Sequence, residues 1–408
     1  MEENVLIIAV QKKLDDETRF HYSLEELKSL TETAKGIVVD SVIQKRDRAH
    51  PALYLGTGKL EEVEEIIEEK EIDLLIANDE LSASQMRNLQ EQFDLPIIDR
   101  SQLILDIFAS RAKTSEGKLQ VELAQYQYLL PRLHGQGHAM SRLGGGIGTR
   151  GPGETKLESD RRHINRRIDE VKRRLATVVN QREQYRNRRK TNHTFQIAIV
   201  GYTNAGKSTL FNRLTRSDAF EEDQLFATLD PMSRQMKLPS GLTVVITDTV
   251  GFMQDLPTAL IAAFRSTLEE VAEADFIYHV VDASHPDQGQ HQETVLSLLK
   301  ELKADHIPSL TIYNKKDLIR ADFLPINQPA ITISAFDEAD RKRLLNKTQE
   351  SMKNNWKRYE CVISASDGKK LQQYRQHSII VSEEFTESSE TYHLEGYLPE
   401  DHPLQPKH

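Results

Sequence analysis

Residues 201–209 read Gly-Tyr-Thr-Asn-Ala-Gly-Lys-Ser-Thr, with the apolar stretch Phe195–Val200 just before and Leu210–Leu214 just after. Gly201, Gly206, Lys207 and Ser208 fall on the spacing Gly-x4-Gly-Lys-Ser/Thr. Between a strand and a helix, such a loop turns its backbone N–H groups towards phosphate oxygens, and the helix N-terminus adds its positive end. The wall of the site would be Gly201, Tyr202, Thr203, Asn204, Ala205, Gly206, Lys207, Ser208 and Thr209. Lys207 would reach the β- and γ-phosphates as a point charge, and Ser208 would ligate Mg2+. The segment predicts an α/β domain around it, a mostly parallel sheet with helices on both faces.

Three later segments choose among nucleotides. Asp248-Thr249-Val250-Gly251 follows the apolar run Thr243–Ile246. Asp248 would hold a magnesium-bound water and the Gly251 amide would meet the γ-phosphate. Asn314-Lys315-Lys316-Asp317 follows Leu310–Tyr313. A carboxylate at Asp317 can accept both N1–H and N2–H of guanine, a pairing adenine does not offer. Lys315 would lay its stem along the base, and Asn314 would brace the loop. Ser334-Ala335 follows Ala330–Ile333, where a backbone amide would contact guanine O6. The expected ligands are therefore GTP and GDP with Mg2+.

Between Lys207 and Asp248 lies Leu225-Phe226-Ala227-Thr228-Leu229-Asp230-Pro231. Phe226–Asp230 are expected to close over the nucleotide, with Thr228 as the second side-chain magnesium ligand beside Ser208. The groups expected to act on the reacting phosphate are Lys207, Thr228 and Gly251. The residue after Gly251 is Phe252, where many GTPases place a glutamine that orients the attacking water. Phenylalanine cannot do so, and slow intrinsic hydrolysis is expected.

The remaining sequence falls into further units. A chain of 408 residues exceeds one ordinary core. Residues 1–110 alternate strand-like runs (Val5–Val10, Gly36–Val42, Leu53–Leu55, Asp73–Ala77, Pro96–Ile98) with helical spacing at Ser23–Leu30 and Lys59–Lys70, which predicts a small α/β domain. Leu55-Gly-Thr-Gly-Lys59 lacks the phosphate-loop spacing and is read as a tight turn. In residues 111–192, Leu119, Leu123, Tyr126, Leu130 and Leu133, and then Leu157, Ile164, Ile168, Val171, Leu175 and Val178, recur at steps of three, four and seven. That spacing predicts two helices pairing as an antiparallel hairpin. The GTPase domain is expected over 193–360, and a small C-terminal α+β unit over 361–408, with strands at Ile379–Val381 and Thr391–Leu398.

The hairpin connector, 134–156, is rich in glycine and carries Arg142, Arg150 and Lys156. It suits insertion into RNA, although a solvated linker has the same composition. Residues 161–190 hold twelve Lys/Arg against three acidic residues on a chain whose net charge is −10. A local excess of nine positive charges on an acidic protein points to a nucleic-acid contact. No apolar run approaches the roughly 20 residues of a membrane helix, no leader pattern opens the chain, and there is one cysteine, Cys361. A cytoplasmic, monomeric protein without integral membrane association is expected.

On Gly145–Lys156 running into Leu157-Glu158, Gly201–Thr209, Asp248–Phe252, Asp255-Leu-Pro257 and Val281–Pro286, nearly the whole chain resembles the HflX family of bacterial translational GTPases. The resemblance implies a GTP-regulated factor that binds the large ribosomal subunit and the 70S ribosome, contacting ribosomal RNA through residues 134–190. It also implies splitting of stalled or idle ribosomes, partial residence on ribosomes, and in some members an ATPase activity of the N-terminal domain. A large-subunit assembly factor and an RNA-remodelling NTPase remain as alternatives.

Overall fold

The computed structural model describes residues 3–13, 16–133, 156–191, 194–215, 231–253, 270–319 and 323–406. The expected glycine-rich loop, and Phe226, Ala227, Thr228, Leu229 and Asp230, lie outside these residues. Among the described residues, one compact unit ends at Val179 and a second begins at Asn180.

The first unit opens on strand β1 (Glu3–Lys12), followed by α1 (Glu17–Thr33), β2 (Gly36–Arg46), α2 (Thr57–Lys70), β3 (Leu74–Ala77), α3 (Ala83–Phe93), β4 (Ile97–Asp99) and α4 (Arg100–Arg111). The four strands form one parallel sheet in the order β2-β1-β3-β4. Seven consecutive residues of β1 are buried, the unalternating pattern of a strand covered on both faces. Leu6, Ile8 and Val10 meet Leu60 and Val63 of α2 and Leu89 and Phe93 of α3. The alternate residues Val5, Ile7 and Ala9 turn to the opposite face.

Leu53–Leu55 is a correction. These residues form a turn with an isolated His50–Tyr54 bridge, not a strand. The Tyr54 hydroxyl draws the segment inward, donating to Asp79 at 2.5 Å and accepting from the Val10 amide at 3.1 Å. Tyr54 is therefore 1% exposed in a left-handed conformation. Its apolar content reports burial of a turn. The Gly56–Lys59 turn leads directly into α2, with Gly56 at the N-cap.

Helices α5 (Ser115–Arg132) and α6 (Lys156–Thr191) follow. Leu119 and Leu123 pack against Ile164, Ile168 and Val171, flanked by Tyr126, Leu130, Leu175 and Val178. This is the seam read from the sequence, and Leu133 also joins it. At the end of α5, Arg132 donates to the buried Asp99 carboxylate (3.2 Å), to Glu80 (3.1 Å) and to the Leu81 carbonyl (2.9 Å).

The second unit is built on β5 (Phe195–Gly201), α7 (Lys207–Thr215), β6 (Met232–Lys237), β7 (Thr243–Asp248), β8 (Phe276–Asp282), α8 (Gln288–Glu301), β9 (Ser309–Asn314), β10 (Ala330–Thr332) and α9 (Glu338–Asn355). Its six strands run β10-β9-β8-β5-β7-β6, parallel except for β6. On one face Ile197, Ile199, Val244 and Tyr278 pack against Leu210 and Phe211 of α7 and Leu344 of α9. On the other, Ala198, Val200 and Ile277 meet Val295 and Leu298 of α8.

The C-terminal elements are β11 (Lys357–Ser364), α10 (Gly368–His377), β12 (Ile379–Thr386) and β13 (Thr391–Leu398). They form an antiparallel sheet ordered β11-β13-β12. Strand β11 was not read from the sequence, and it crosses the expected boundary at 361. Ile379 joins the core of the six-stranded sheet, and Trp356 meets Phe195 edge-on with ring centroids 5.4 Å apart.

Candidate nucleotide site

In open α/β sheets, ligands sit beyond the carboxyl ends of strands where the chain order reverses. Here that place lies beyond β5, which has β7 on one side and β8 on the other. Loop 202–206 runs from β5 into α7. It is joined to the Asp248–Phe252 segment by two backbone bonds, Thr203 N–H to the Phe252 carbonyl (2.7 Å) and Phe252 N–H to the Gly201 carbonyl (3.1 Å). The phosphate loop and the segment expected to meet the γ-phosphate are thus one piece of backbone geometry.

Lys207 is buried, and its Nζ donates to the Tyr202 carbonyl at 2.7 Å. Burial pushes its pKa down to about 8, against the opposing pull of Asp248. A Cβ on Gly251 would lie 3.0 Å from Lys207 Nζ and 3.0 Å from Thr203 Cγ2. Only glycine leaves that space beside the ammonium. At Gly206, φ is +88° and a Cβ would meet Asn314 Nδ2 at 2.2 Å. Asp248 and Thr249 are wholly buried, and the Thr249 hydroxyl fixes the turn by donating to the Ile199 carbonyl (2.6 Å).

These donors fit a magnesium ion. Asp248 and Ser208 present hard oxygens at the end of β7 and the start of α7, and the glycine-lined space beside Lys207 is a cradle that a Cβ would fill. Among the described residues no cluster of three His, Cys, Asp or Glu side chains could hold a metal.

Phe252 is 2% exposed and packs with Ala198, Val200, Val271, Ile277 and Val295. Its ring belongs to the core beneath the sheet, which explains in packing terms why this position carries no water-orienting group.

The base-recognition loops are cross-braced. Asn314 Nδ2 donates to the Ala205 carbonyl at 3.0 Å, and its Oδ1 accepts the Ala335 amide at 3.0 Å. One carboxamide therefore ties the phosphate loop to the Ser334–Ala335 loop. Lys315 takes a left-handed conformation, φ +61°, and its Nζ pairs with Asp282 at 2.7 Å. Asp317 lies exposed in the short 3-10 turn Lys316–Leu318. The Ser334 amide donates to Asp340 (2.9 Å). Both loop amides are thus engaged within the protein, and a contact with guanine O6 would share the Ala335 donor with Asn314.

Sequence reasoning missed two carboxylates here. Asp282 anchors Lys315 and stands in a stretch that the sequence reading had already quoted. Asp340 is buried on α9, where nothing in the local pattern distinguishes it from a surface helix residue. It also missed the pairing of Tyr202 with His291, whose rings stack at 3.7 Å between centroids and 6° between planes.

A strand–loop–helix with a braced Asn-Lys-x-Asp turn on a mostly parallel sheet defines a P-loop GTPase. Comparison with known proteins carries this further. Three family models match in succession, described as GTP-binding GTPase N-terminal (residues 21–109), GTP-binding GTPase middle region (111–189) and 50S ribosome-binding GTPase (196–315). GTPase HflX of Alkalihalophilus pseudofirmus is 55% identical over 400 residues, covering 98% of this chain and 94% of its own. GTPase HflX of Caldanaerobacter subterraneus is 46% identical over 390 residues, covering 95% and 89%. Among solved structures, the GDP complex of SsGBP aligns at a TM-score of 0.49 and 25% identity, covering 86% of this chain and 98% of that one. The chain belongs to the HflX family of GTPases, and it is a GTP-hydrolysing enzyme. Among the described residues no helix is long and apolar enough to cross a membrane.

Proposed function

We propose that this GTPase acts on the large ribosomal subunit, splitting stalled or idle 70S ribosomes in its GTP state and leaving after hydrolysis. The observation that carries the reading is the charge of helix α6. Ile164, Ile168 and Val171 face α5, while Arg161, Arg162, Arg166, Lys172, Arg173 and Arg174 are exposed. A helix with its apolar side already occupied offers RNA a row of cations. The family model that matches residues 196–315 is described as a 50S ribosome-binding GTPase, which supports ribosomal RNA as the partner.

In this reading Lys207 exchanges the Tyr202 carbonyl for the β- and γ-phosphate oxygens. Ser208 and Thr228 hold magnesium and Asp248 one of its waters. The ion, when bound, neutralises charge on the transferring phosphoryl group. The Gly251 amide donates to the γ-phosphate, Asp317 accepts the guanine N1–H and N2–H, and Asn314 keeps both loops in register. Nothing at position 252 positions the attacking water, so intrinsic turnover is slow and a partner or another segment of the chain supplies the missing alignment. The same family membership supports a partly ribosome-bound protein, which we read as cytoplasmic and monomeric.

A sucrose gradient of 70S ribosomes with protein and GTP or a non-hydrolysable analogue tests this. Subunit peaks should grow with the analogue and not with GDP, and a chain shortened within Gly144–Gly153 should lose the effect. An unchanged 70S peak under every nucleotide rejects the splitting role. Ribosome affinity should also fall steeply with salt, as expected where cations displace counterions from phosphate.

A further inference from the structure

The phosphate loop is fastened from outside itself. Tyr202, the residue that follows β5, is 6% exposed. Its ring lies on the imidazole of His291, in the first turn of α8, with centroids 3.7 Å apart and planes 6° from parallel. Two rings in face contact restrain each other's plane and height. Burial, with His285 adding to it, brings the His291 pKa down to about 3. The imidazole is therefore a flat, uncharged surface at ordinary pH.

His291 is itself held in place. The His285 ring meets it at 4.4 Å between centroids, tilted by 36°. His285 is set by the turn from β8 into α8, where its amide donates to the Asp282 carbonyl (3.3 Å) and its Nδ1 accepts the Asp287 amide (3.1 Å). Asp282 accepts the Ser284 amide at 3.0 Å and hydroxyl at 2.6 Å and pairs with Lys315. The surface under Tyr202 thus rests on a turn that is fixed at several points.

What the ring restrains is the backbone that receives Lys207. Lys207 Nζ donates to the Tyr202 carbonyl at 2.7 Å. Backbone bonds to Phe252 hold the residues on either side, Gly201 and Thr203, and the ring contact supplies the restraint at position 202 itself. Moving the ring would move the carbonyl that seats the ammonium and, with it, the Thr203 amide next in line.

We propose that His291 is a positioning residue for phosphate binding, acting through the Tyr202 ring to keep the loop and Lys207 set for the β- and γ-phosphates. The inference rests on the reading of Lys207 as the phosphate-binding cation and deepens it, placing part of the loop's preorganisation in α8. A loop already in its binding shape loses less freedom when the ligand arrives. The gain accompanies the phosphates, and a nucleoside without them does not receive it.

The test is displacement of a fluorescent N-methylanthraniloyl derivative of GDP from the full chain by GDP or by guanosine. His291→Ala should raise the Kd for GDP by about three- to tenfold, the span of one aromatic contact, and leave that for guanosine within about twofold. His291→Phe keeps a flat uncharged ring and should bind GDP within about twofold of wild type. Tyr202→Leu removes the same contact from the other side, so the double variant should be no weaker than the weaker single one. Thermal melting of each variant reports its folding. An equal loss for GDP and guanosine, or additive losses in the double variant, overturns the positioning role. Lys207→Ala separates the two readings. If it weakens GDP binding and His291→Ala does not, the positioning role fails alone. If Lys207→Ala binds GDP as tightly as wild type, the phosphate reading of Lys207 fails and the positioning role with it.

Discussion

The Ser334 amide donates to Asp340 across 2.9 Å, and the same carboxylate takes Lys316 Nζ at 3.3 Å and Arg343 Nη1 at 2.6 Å. Burial alone would raise the Asp340 pKa, yet the Ser334 amide, Lys316 and Arg343 bring it net below the usual range. A single charge therefore holds the loop after β9 to the loop after β10. Asp340→Asn keeps one acceptor and removes the charge, and should cost about 1–3 kcal/mol in stability. GDP release should quicken by roughly tenfold, the factor that 1.4 kcal/mol represents. Chemical denaturation and nucleotide release, measured together, check both; unaltered release would show that the two loops hold without it.

Asn314 braces from the other side. Asn314→Ala leaves the Ala205 carbonyl and the Ala335 amide without their present partner, and should cost about 2–4 kcal/mol for two unsatisfied groups. Nucleotide affinity should fall at least tenfold by calorimetric titration. Equal affinity in wild type and variant would remove Asn314 from the site.

Phe252→Gln tests the proposal that hydrolysis is slow because position 252 serves the core. The glutamine would replace a ring enclosed by Ala198, Val200, Val271, Ile277 and Val295, burying an amide in an apolar place at a cost of roughly 1–3 kcal/mol. The expected result is a lower melting temperature with no gain in single-turnover GTP hydrolysis. A substantially faster variant would mean that the side chain reaches the phosphate after all.

His279 gives the second unit a pH signature. It sits in the middle of β8, 3% exposed, and burial, with Lys207 adding to it, lowers its pKa from 6.5 to about 4. The unfolded chain therefore binds the proton more readily, and stability is lost as pH falls from about 6.5 towards about 4. That difference corresponds to roughly 3 kcal/mol at most. Denaturation curves of His279→Leu should be flatter across this window. Parallel curves for variant and wild type would place the dependence elsewhere.

Arg132 closes the first unit. Arg132→Ala strips the buried Asp99 of its cation while the Leu81 and Gln102 amides still donate to it. A loss of about 3–5 kcal/mol is expected for breaking a buried pair on one side, read from the denaturation midpoint. Arg132→Lys should recover part of it.

Much of this was legible in the sequence because it is local. Gly201, Gly206 and Lys207 are close in the chain, and each apolar stripe of the hairpin runs along one helix. Leu119 and Ile164 meet because both stripes need cover. What stayed hidden joins residues far apart. Asp340 finds Lys316 only after α9 has packed on the sheet, and His291 finds Tyr202 only through α8. Tyr54 misled for a related reason: a buried hydroxyl bond, invisible in the sequence, put a β-favouring residue into a turn. Strand β11 sets Arg358 and Glu360 outward against Tyr359, Cys361 and Ile363 inward, an alternation that went unread beside the exposed apolar Val362 that interrupts it.

The burial of Phe252 also bears on how this chain can change over generations. A position that serves the core is under selection for packing, so a polar side chain there would have to arrive together with changes among Ala198, Val200, Val271, Ile277 and Val295. Residue 252 is therefore tied to its neighbours as a group and varies only as they do.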